Sequence, residues 1–237
     1  MPTSAPERIP TLLWVDDVHA DVAGQPVLRG LSLRVEEGEF LAVLGHNGAG
    51  KSTLLRLLVG LTPVKSGHLF LAEENITRRS TPDIVRAGVA LVPQQRGYFE
   101  NLSVADNLAF GERGDGRIGR KQIFEMFPAL QQRQEQIVGT MSGGQRQMVA
   151  ISIALMSSPR LLLLDEPSVG LQPTLVETVM RVAKQINQEY GITVILVEQN
   201  IEKVLKVVDR IVVVNRGQVL LDAPVEQVTP DDIWRLL

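Results

Sequence analysis

The chain has 237 residues, 44% hydrophobic and 22% charged, a mixture that excludes global disorder and can bury a core without covalent staples. Cysteine is absent, which excludes disulfides and thiolate chemistry. A sum of 24 Lys and Arg against 27 Asp and Glu gives a net charge of −3, which argues against a general nucleic-acid binder.

Residues 1–10 are polar and hold three prolines, so no secretory leader is expected. Residues 11–39 contain strand-like pieces around a turn at Ala23-Gly24-Gln25 and predict an antiparallel flank. The run 40–44 is aliphatic apart from Phe40 and ends at Gly45; the run 89–92 ends at Pro93. Residues 98–158 lack clear strands and predict helices, one over 145–156 with Met148, Ile151, Ala154 and Leu155 apolar. Within them, residues 111–119 hold four glycines and predict an exposed loop. Residues 160–164 form a third aliphatic run, ending in Asp165-Glu166-Pro167. A helix is predicted after Pro173, because Leu175, Val179, Val182 and Ile186 recur at helical spacing. Two further runs, 193–197 and 211–214, precede a capped last helix opening at Thr229-Pro230. Such continuous Val/Ile/Leu runs suit strands covered on both faces, and the helices between them imply a parallel α/β core. No run approaches the ~20 apolar residues of a membrane span. A soluble, cytosolic chain is expected, with any membrane role exerted through a partner.

Gly45-His46-Asn47-Gly48-Ala49-Gly50-Lys51-Ser52, followed by Thr53, matches the P-loop pattern and lies between a predicted strand and helix. Glycines there let backbone N–H groups surround phosphate oxygens at a helix N-terminus. Lys51 supplies a point charge for the β/γ-phosphates and Ser52 a hydroxyl for Mg²⁺. The aliphatic strand ending in Asp165-Glu166 supplies the second half of a nucleotide site. Asp165 is expected on the metal side and Glu166 beside the attacking water. Two acids at a strand end are common; the P-loop in the same chain gives this pair its meaning. Ser142-Gly143-Gly144-Gln145 opens a helix, with Ser142 as cap and glycine N–H groups available to an anion.

The ordered set of the P-loop at 45–52, Gln94 after a strand, Ser142-Gly143-Gly144-Gln145 and the strand ending in Asp165-Glu166 strongly resembles the ATP-binding subunit of ABC transporters. The resemblance runs from about Leu12 to Val225. It implies a P-loop NTPase (RecA-like) α/β core with an antiparallel β-subdomain, over about 11–94 and 159–237. A helical subdomain over about 95–158 is inserted, and residues 1–237 form a single ATPase domain. It implies ATP and Mg²⁺ as ligands, with Ser52, Gln94 and Asp165 on the metal and Glu166, Gln94 and Gln199 as catalytic residues. It also implies ABC permease subunits, a second ATPase subunit in a homo- or heterodimer and, indirectly, a substrate-binding protein as partners. Nucleic acid is not among them. The expected place is the cytoplasmic face of the inner or plasma membrane. In such a dimer the residues 142–145 contact ATP held on the partner's P-loop. The segment with Gly97, Tyr98, Phe99 and Leu102 meets a cytoplasmic helix of the permease.

Val92-Pro93-Gln94, Asn101-Leu102-Ser103-Val104, Asn107-Leu108, Gly170-Leu171-Gln172-Pro173 and Val197-Glu198-Gln199-Asn200 resemble the branched-chain amino-acid importer ATPases and the similar urea importers. The implied function is an importer motor, for amino acids or for urea and short-chain amides. A non-transport ATPase clamp is the alternative of another class. A GTPase-type switch lacks its Asn-Lys-x-Asp here, and a kinase leaves residues 142–145 unexplained. Four departures stand out. Met141 replaces the family's leucine before Ser142, and Gln199 replaces the switch histidine. Gln172 replaces an aspartate. Val22 stands where an aromatic ring stacks on adenine, with Trp14 the nearest aromatic, at the other end of its strand.

Overall fold

The structure is a computed structural model and describes residues 10–112 and 116–237. The chain opens as a long hairpin, β1 (Thr11–Val22) and β2 (Gln25–Glu36). Val22 pairs with Gln25, so the turn is the two-residue loop Ala23-Gly24, both at positive φ, as a tight hairpin requires. After β3 (Phe40–Leu44) come α1 (Lys51–Leu58), β4 (Ser66–Leu71), β5 (Glu74–Asn75), α2 (Thr81–Arg86) and β6 (Val89–Val92). A helical stretch follows: α3 (Val104–Gly111), α4 (Arg120–Met126), α5 (Pro128–Gln131) and α6 (Gly143–Met156). The chain then forms β7 (Leu161–Asp165), α7 (Pro173–Tyr190), β8 (Thr193–Val197), α8 (Ile201–Val204), β9 (Arg210–Asn215), β10 (Gln218–Pro224) and α9 (Pro230–Trp234).

All five aliphatic runs are strands of one six-stranded sheet, in the order β10-β9-β3-β8-β7-β6. Pairing is parallel from β9 to β6, and only β10 is antiparallel. The predicted antiparallel flank is a separate sheet of order β2-β1-β4-β5. The strand period of two divides the core. Phe40, Ala42, Leu44, Leu162 and Leu164 point into a cluster with the helices α3 to α7. Leu41, Val43, Leu161 and Leu163 point into a second cluster, with α1 and the antiparallel sheet. The central sheet is thus covered on both faces, which is why its strands read as unbroken apolar runs.

Differences from the sequence expectations are local. Leu175 is only partly buried on α7, and Val176 takes the inward position beside Val179. The glycine-rich loop begins later than predicted, since Gly111 closes α3, and ends earlier, since Ile118 is in the core. Residues 113–115 of that loop lie outside the described residues.

One buried amide organises the entrance to the helical stretch. Asn107 on α3 is fully buried. Its Nδ2 donates to the carbonyls of Phe99 at 3.0 Å and Ser103 at 2.9 Å, and its Oδ1 accepts the Phe99 N–H at 2.8 Å. The side chain adds to the backbone bonds that already hold this segment, from Val138 N–H to Leu102 and from Gly139 N–H to Glu100, and supplies the acceptor for the Phe99 N–H. Asn107→Leu fills similar space but leaves the Phe99 N–H without its acceptor and removes one of the two donors from each of the Phe99 and Ser103 carbonyls. Its expected cost is about 1–3 kcal/mol, to be read from urea unfolding midpoints at unchanged m-value.

Candidate active site at the carboxyl ends of the parallel strands

The P-loop begins where β3 ends. Gly45 leaves no room for a side chain, because a Cβ would lie 2.3 Å from the Val214 carbonyl of β9. Gly48 and Gly50 have φ of 81° and 108°, the left-handed region that glycine enters without steric cost. The Ala49 carbonyl accepts the Gly217 N–H at 2.9 Å, which ties the loop to the β9–β10 turn. His46, Asn47 and Gly48 form the exposed rim; Ala49, Gly50 and Lys51 are buried; Ser52 and Thr53 are half-buried in the first turn of α1. The Lys51 ammonium donates to the carbonyls of Gly45 at 2.7 Å and His46 at 3.0 Å.

Both predicted carboxylates lie beside this loop. Asp165 closes β7 and accepts the Ser52 hydroxyl at 3.0 Å. Burial raises its pKa, and the Ser52 hydrogen bond pulls it back. Glu166 follows with φ of 45°, a left-handed conformation that costs a non-glycine residue about 1–2 kcal/mol. Its N–H donates to the Val197 carbonyl of β8 at 2.9 Å, which fixes the turn. The Glu166 carboxylate accepts three contacts. Gln94 Nε2 reaches Oε2 at 2.8 Å, Gln199 Nε2 reaches Oε1 at 2.8 Å, and Lys51 Nζ stands 3.8 Å from Oε1. Burial lowers the Lys51 pKa, while Glu166, Asp165 and Glu198 oppose the shift and favour the charged ammonium. Gln199 also donates to Asn47 Oδ1 of the P-loop at 2.9 Å.

Lys51, Ser52, Gln94, Asp165, Glu166 and Gln199 thus converge, although they come from four separate stretches of sequence. Ser52, Gln94 and Asp165 share one cleft with Arg56 and Thr62. Residues 142–145 do not join them. Ser142 caps α6 by accepting the Gln145 N–H at 3.3 Å, and Gln145 Oε1 accepts the Ser142 N–H at 3.1 Å. Among the described residues no hydrogen bond or ion pair links this segment to the P-loop. Ser142 and Gly143 face solvent, whereas Gly144 is buried. A Cβ on Gly144 would lie 2.3 Å from a Leu175 methyl of α7, so this glycine serves packing as well as any anion.

The departures have clear physical settings. Met141 is a core residue, an unbranched apolar side chain among apolar neighbours. Gln172 caps α7, its carbonyl accepting the Leu175 and Val176 N–H groups. Val22 is 42% exposed at the end of β1. Trp14 is committed elsewhere: it stacks on Phe70 at 5.0 Å between centroids, with the Arg34 guanidinium 4.7 Å from its ring centre.

Sequence reasoning missed two residues: Asn107 staples the Phe99 segment, and Glu198 is a buried carboxylate just after β8. Asn47, expected at the nucleotide as part of the P-loop, is in addition the hydrogen-bond partner of Gln199. Glu198 carried the same signal as Glu166, an acid directly after a wholly aliphatic strand.

Comparison with known proteins adds the family. The model for ABC transporter proteins matches residues 28–169, more than half of the chain. The high-affinity branched-chain amino acid transport ATP-binding protein BraG of Pseudomonas aeruginosa is 42% identical over 214 residues, covering 89% of this chain and 91% of that one. The spermidine/putrescine import ATP-binding protein PotA of Mycoplasma capricolum is 34% identical, covering 94% of this chain but 65% of that longer one. A solved nucleotide-free ATP-binding cassette from an ABC transporter has the same fold, with a TM-score of 0.83 at 22% identity over 96% of this chain and 99% of that one. With its P-loop, paired carboxylates and sheet order in hand, the chain belongs to the ABC transporter family as an ATP-binding, ATP-hydrolysing subunit.

Proposed function

We propose that this chain is the motor of an importer for branched-chain amino acids and works as a dimer on the cytoplasmic face of the membrane. The observation that carries the reading is the buried Glu166, held by Lys51, Gln94 and Gln199 at the mouth of the P-loop. Likeness to BraG over nearly the whole length of both chains supports the substrate class. No helix among the described residues is long and apolar enough to cross a membrane, so the transport path belongs to permease partners in this reading. A substrate-binding protein then acts only indirectly, through those permeases.

The assigned roles follow from charge and reach. Lys51 neutralises the β/γ-phosphates, with the N–H groups of residues 45–53 around them. Ser52, Asp165 and the side-chain amide oxygen of Gln94 would hold Mg²⁺. The fit is chemical: the three offer hard oxygens and a single carboxylate. No group of three or more His, Cys, Asp or Glu side chains that could hold a metal occurs among the described residues. Such a set suits a cation that keeps phosphate oxygens and waters as its other ligands. When bound, Mg²⁺ supplies charge compensation for the transferred phosphoryl group. Glu166 accepts a proton from the attacking water, and the Gln199 amide, which has two N–H groups and gives them here to Glu166 and Asn47, exchanges the Asn47 bond for one to a γ-phosphate oxygen without carrying charge.

Residues 142–145 have no partner in the site of their own chain, which supports their assignment to the nucleotide of a second ATPase subunit. For permease docking, Phe99 is 50% and Phe110 63% exposed, and their rings meet at 4.5 Å between centroids. An exposed aromatic pair, Phe99 on the segment held by Asn107 and Phe110 on α3, suits a docking surface, since aromatic rings are enriched in interface cores. Tyr98 is half-buried against the hydrophobic core.

The decisive experiment is transport. Proteoliposomes holding the chain and its co-purifying membrane proteins are expected to move leucine, isoleucine and valine in an ATP-dependent way, and urea not at all. Glu166→Gln is expected to keep ATP binding, cut hydrolysis and transport by at least about 100-fold and trap an ATP-bound dimer in size exclusion. Urea transport would reassign the substrate, and near-normal turnover would remove Glu166 from its role. Ser142→Arg is expected to leave ATP binding by the monomer intact while abolishing ATP-induced dimerisation, measured by light scattering. Phe99→Ala with Phe110→Ala is expected to keep basal ATPase activity and lose transport, with the permease no longer retained on co-purification.

A further inference from the structure

The residue before Gln199 is a carboxylate that the catalytic reading leaves without a task. Glu198 is 1% exposed. Its Oε1 accepts the Ser168 N–H at 2.9 Å and its Oε2 accepts the Gln199 N–H at 3.1 Å. Burial raises its pKa; the Ser168 side chain first, then the two backbone N–H groups, oppose the rise, and the nearby charge of Glu166 adds to it. An acid this deeply buried is costly unless its oxygens are paired, and here each oxygen accepts a backbone N–H, with the Ser168 side chain a further donor.

The two donors belong to segments whose far sides are functional. Ser168 lies two residues beyond Glu166, at the start of the turn that leads to Gln172 and α7. Gln199 reaches Glu166 Oε1 with its side chain and Asn47 with the same amide. Glu198 is thus the short link that closes a ring: Glu166 to Ser168 along the chain, Ser168 to Glu198, Glu198 to Gln199, and Gln199 back to Glu166. Lys51 and Glu166 are the charged groups whose fields reach it.

We propose that Glu198 is a positioning residue, whose carboxylate locks the backbone of Gln199 to the turn at Ser168 and so holds the Gln199 amide in register with Glu166. The proposal rests on the reading that Glu166 activates water. A residue in this position alters the orientation of a reacting group without touching nucleotide. Its loss therefore appears in kcat and leaves KM nearly unchanged.

The test is a double-mutant cycle on the purified full chain. Glu198→Gln keeps one carbonyl acceptor and turns an NH₂ group toward the other N–H. The expected result is a fall in kcat of about tenfold with KM for ATP within about twofold of wild type, the signature of misorientation. In a Gln199→Ala background the same substitution is expected to change kcat little, because the group it positions is gone. Amide exchange at Ser168 and Gln199, read by NMR, is expected to accelerate in Glu198→Gln. Wild-type kcat in a folded Glu198→Gln, or an equal loss with and without Gln199, overturns the proposal. Where Glu198→Gln fails to fold, Glu198→Asp carries the same comparison, since it keeps both oxygens and withdraws them by one methylene. Glu166→Gln measured alongside separates the two ideas. Turnover lost there but not in Glu198→Gln overturns only the positioning role. Turnover retained in Glu166→Gln overturns the reading beneath it.

Discussion

A carboxylate taken out of water must find donors for both oxygens, and Glu166 finds them on three different segments. That demand organises the molecule. β3, β8, β7 and β6 are neighbours in the sheet, and each ends in a residue that serves the site. β3 ends in the P-loop with Lys51, β8 in Glu198 and Gln199, β7 in Asp165 and Glu166, and β6 leads to Gln94. The next strand, β9, ends at the turn whose Gly217 N–H holds the Ala49 carbonyl. Parallel pairing makes this possible, because it sets all carboxyl ends on one edge, where α/β sheets bind ligands. A scrambled strand order with the same strands would leave Lys51 and Glu166 as separate buried charges, each costing several kcal/mol.

The helical stretch packs on this sheet by apolar contact, and one amide, Asn107, ties it together within. Its buried residues Val104, Leu108 and Leu130 belong to the same hydrophobic cluster as Leu162 and Leu164 of β7. Asn107 transmits position between α3 and the Phe99 segment, because it bonds both the N–H and the carbonyl of Phe99. Force on the exposed aromatics therefore reaches a packed helix rather than a free loop. Close-packed helices pass such displacements on as rigid pieces, not as local bending.

Much of this was legible in the sequence because its signals are local. The aliphatic runs, the Ala23-Gly24 turn, the Ser142 and Thr229 caps and the P-loop each depend on a few adjacent residues. What was not legible depends on distance along the chain. Gln199 and Asn47 are 152 residues apart, and no periodicity announces their bond. Strand order sets which loops meet, and the aliphatic runs are nearly interchangeable as sequence. Gly144 read as an anion-binding glycine, yet its tight contact is with Leu175 of a helix a full strand away. β4, β5 and β10 escaped notice because their burial is partial and their residues are mixed. Val176 rather than Leu175 faces inward on α7 because a helix face is wide enough to admit either until packing chooses.

The left-handed backbone at Glu166 has a consequence for how this position tolerates change. The fold compels one of its most constrained peptides to carry the side chain on which Lys51, Gln94 and Gln199 converge. Glycine or asparagine there would relax the main chain, while β-branched residues would strain it further. Yet any shortening strands the amides of Gln94 and Gln199 and the Lys51 ammonium without their shared acceptor. Backbone ease and side-chain need thus pull against each other at a single residue. A residue scan at 166 that reads only melting temperature would mix the two effects and could rank substitutions in an order unrelated to chemistry.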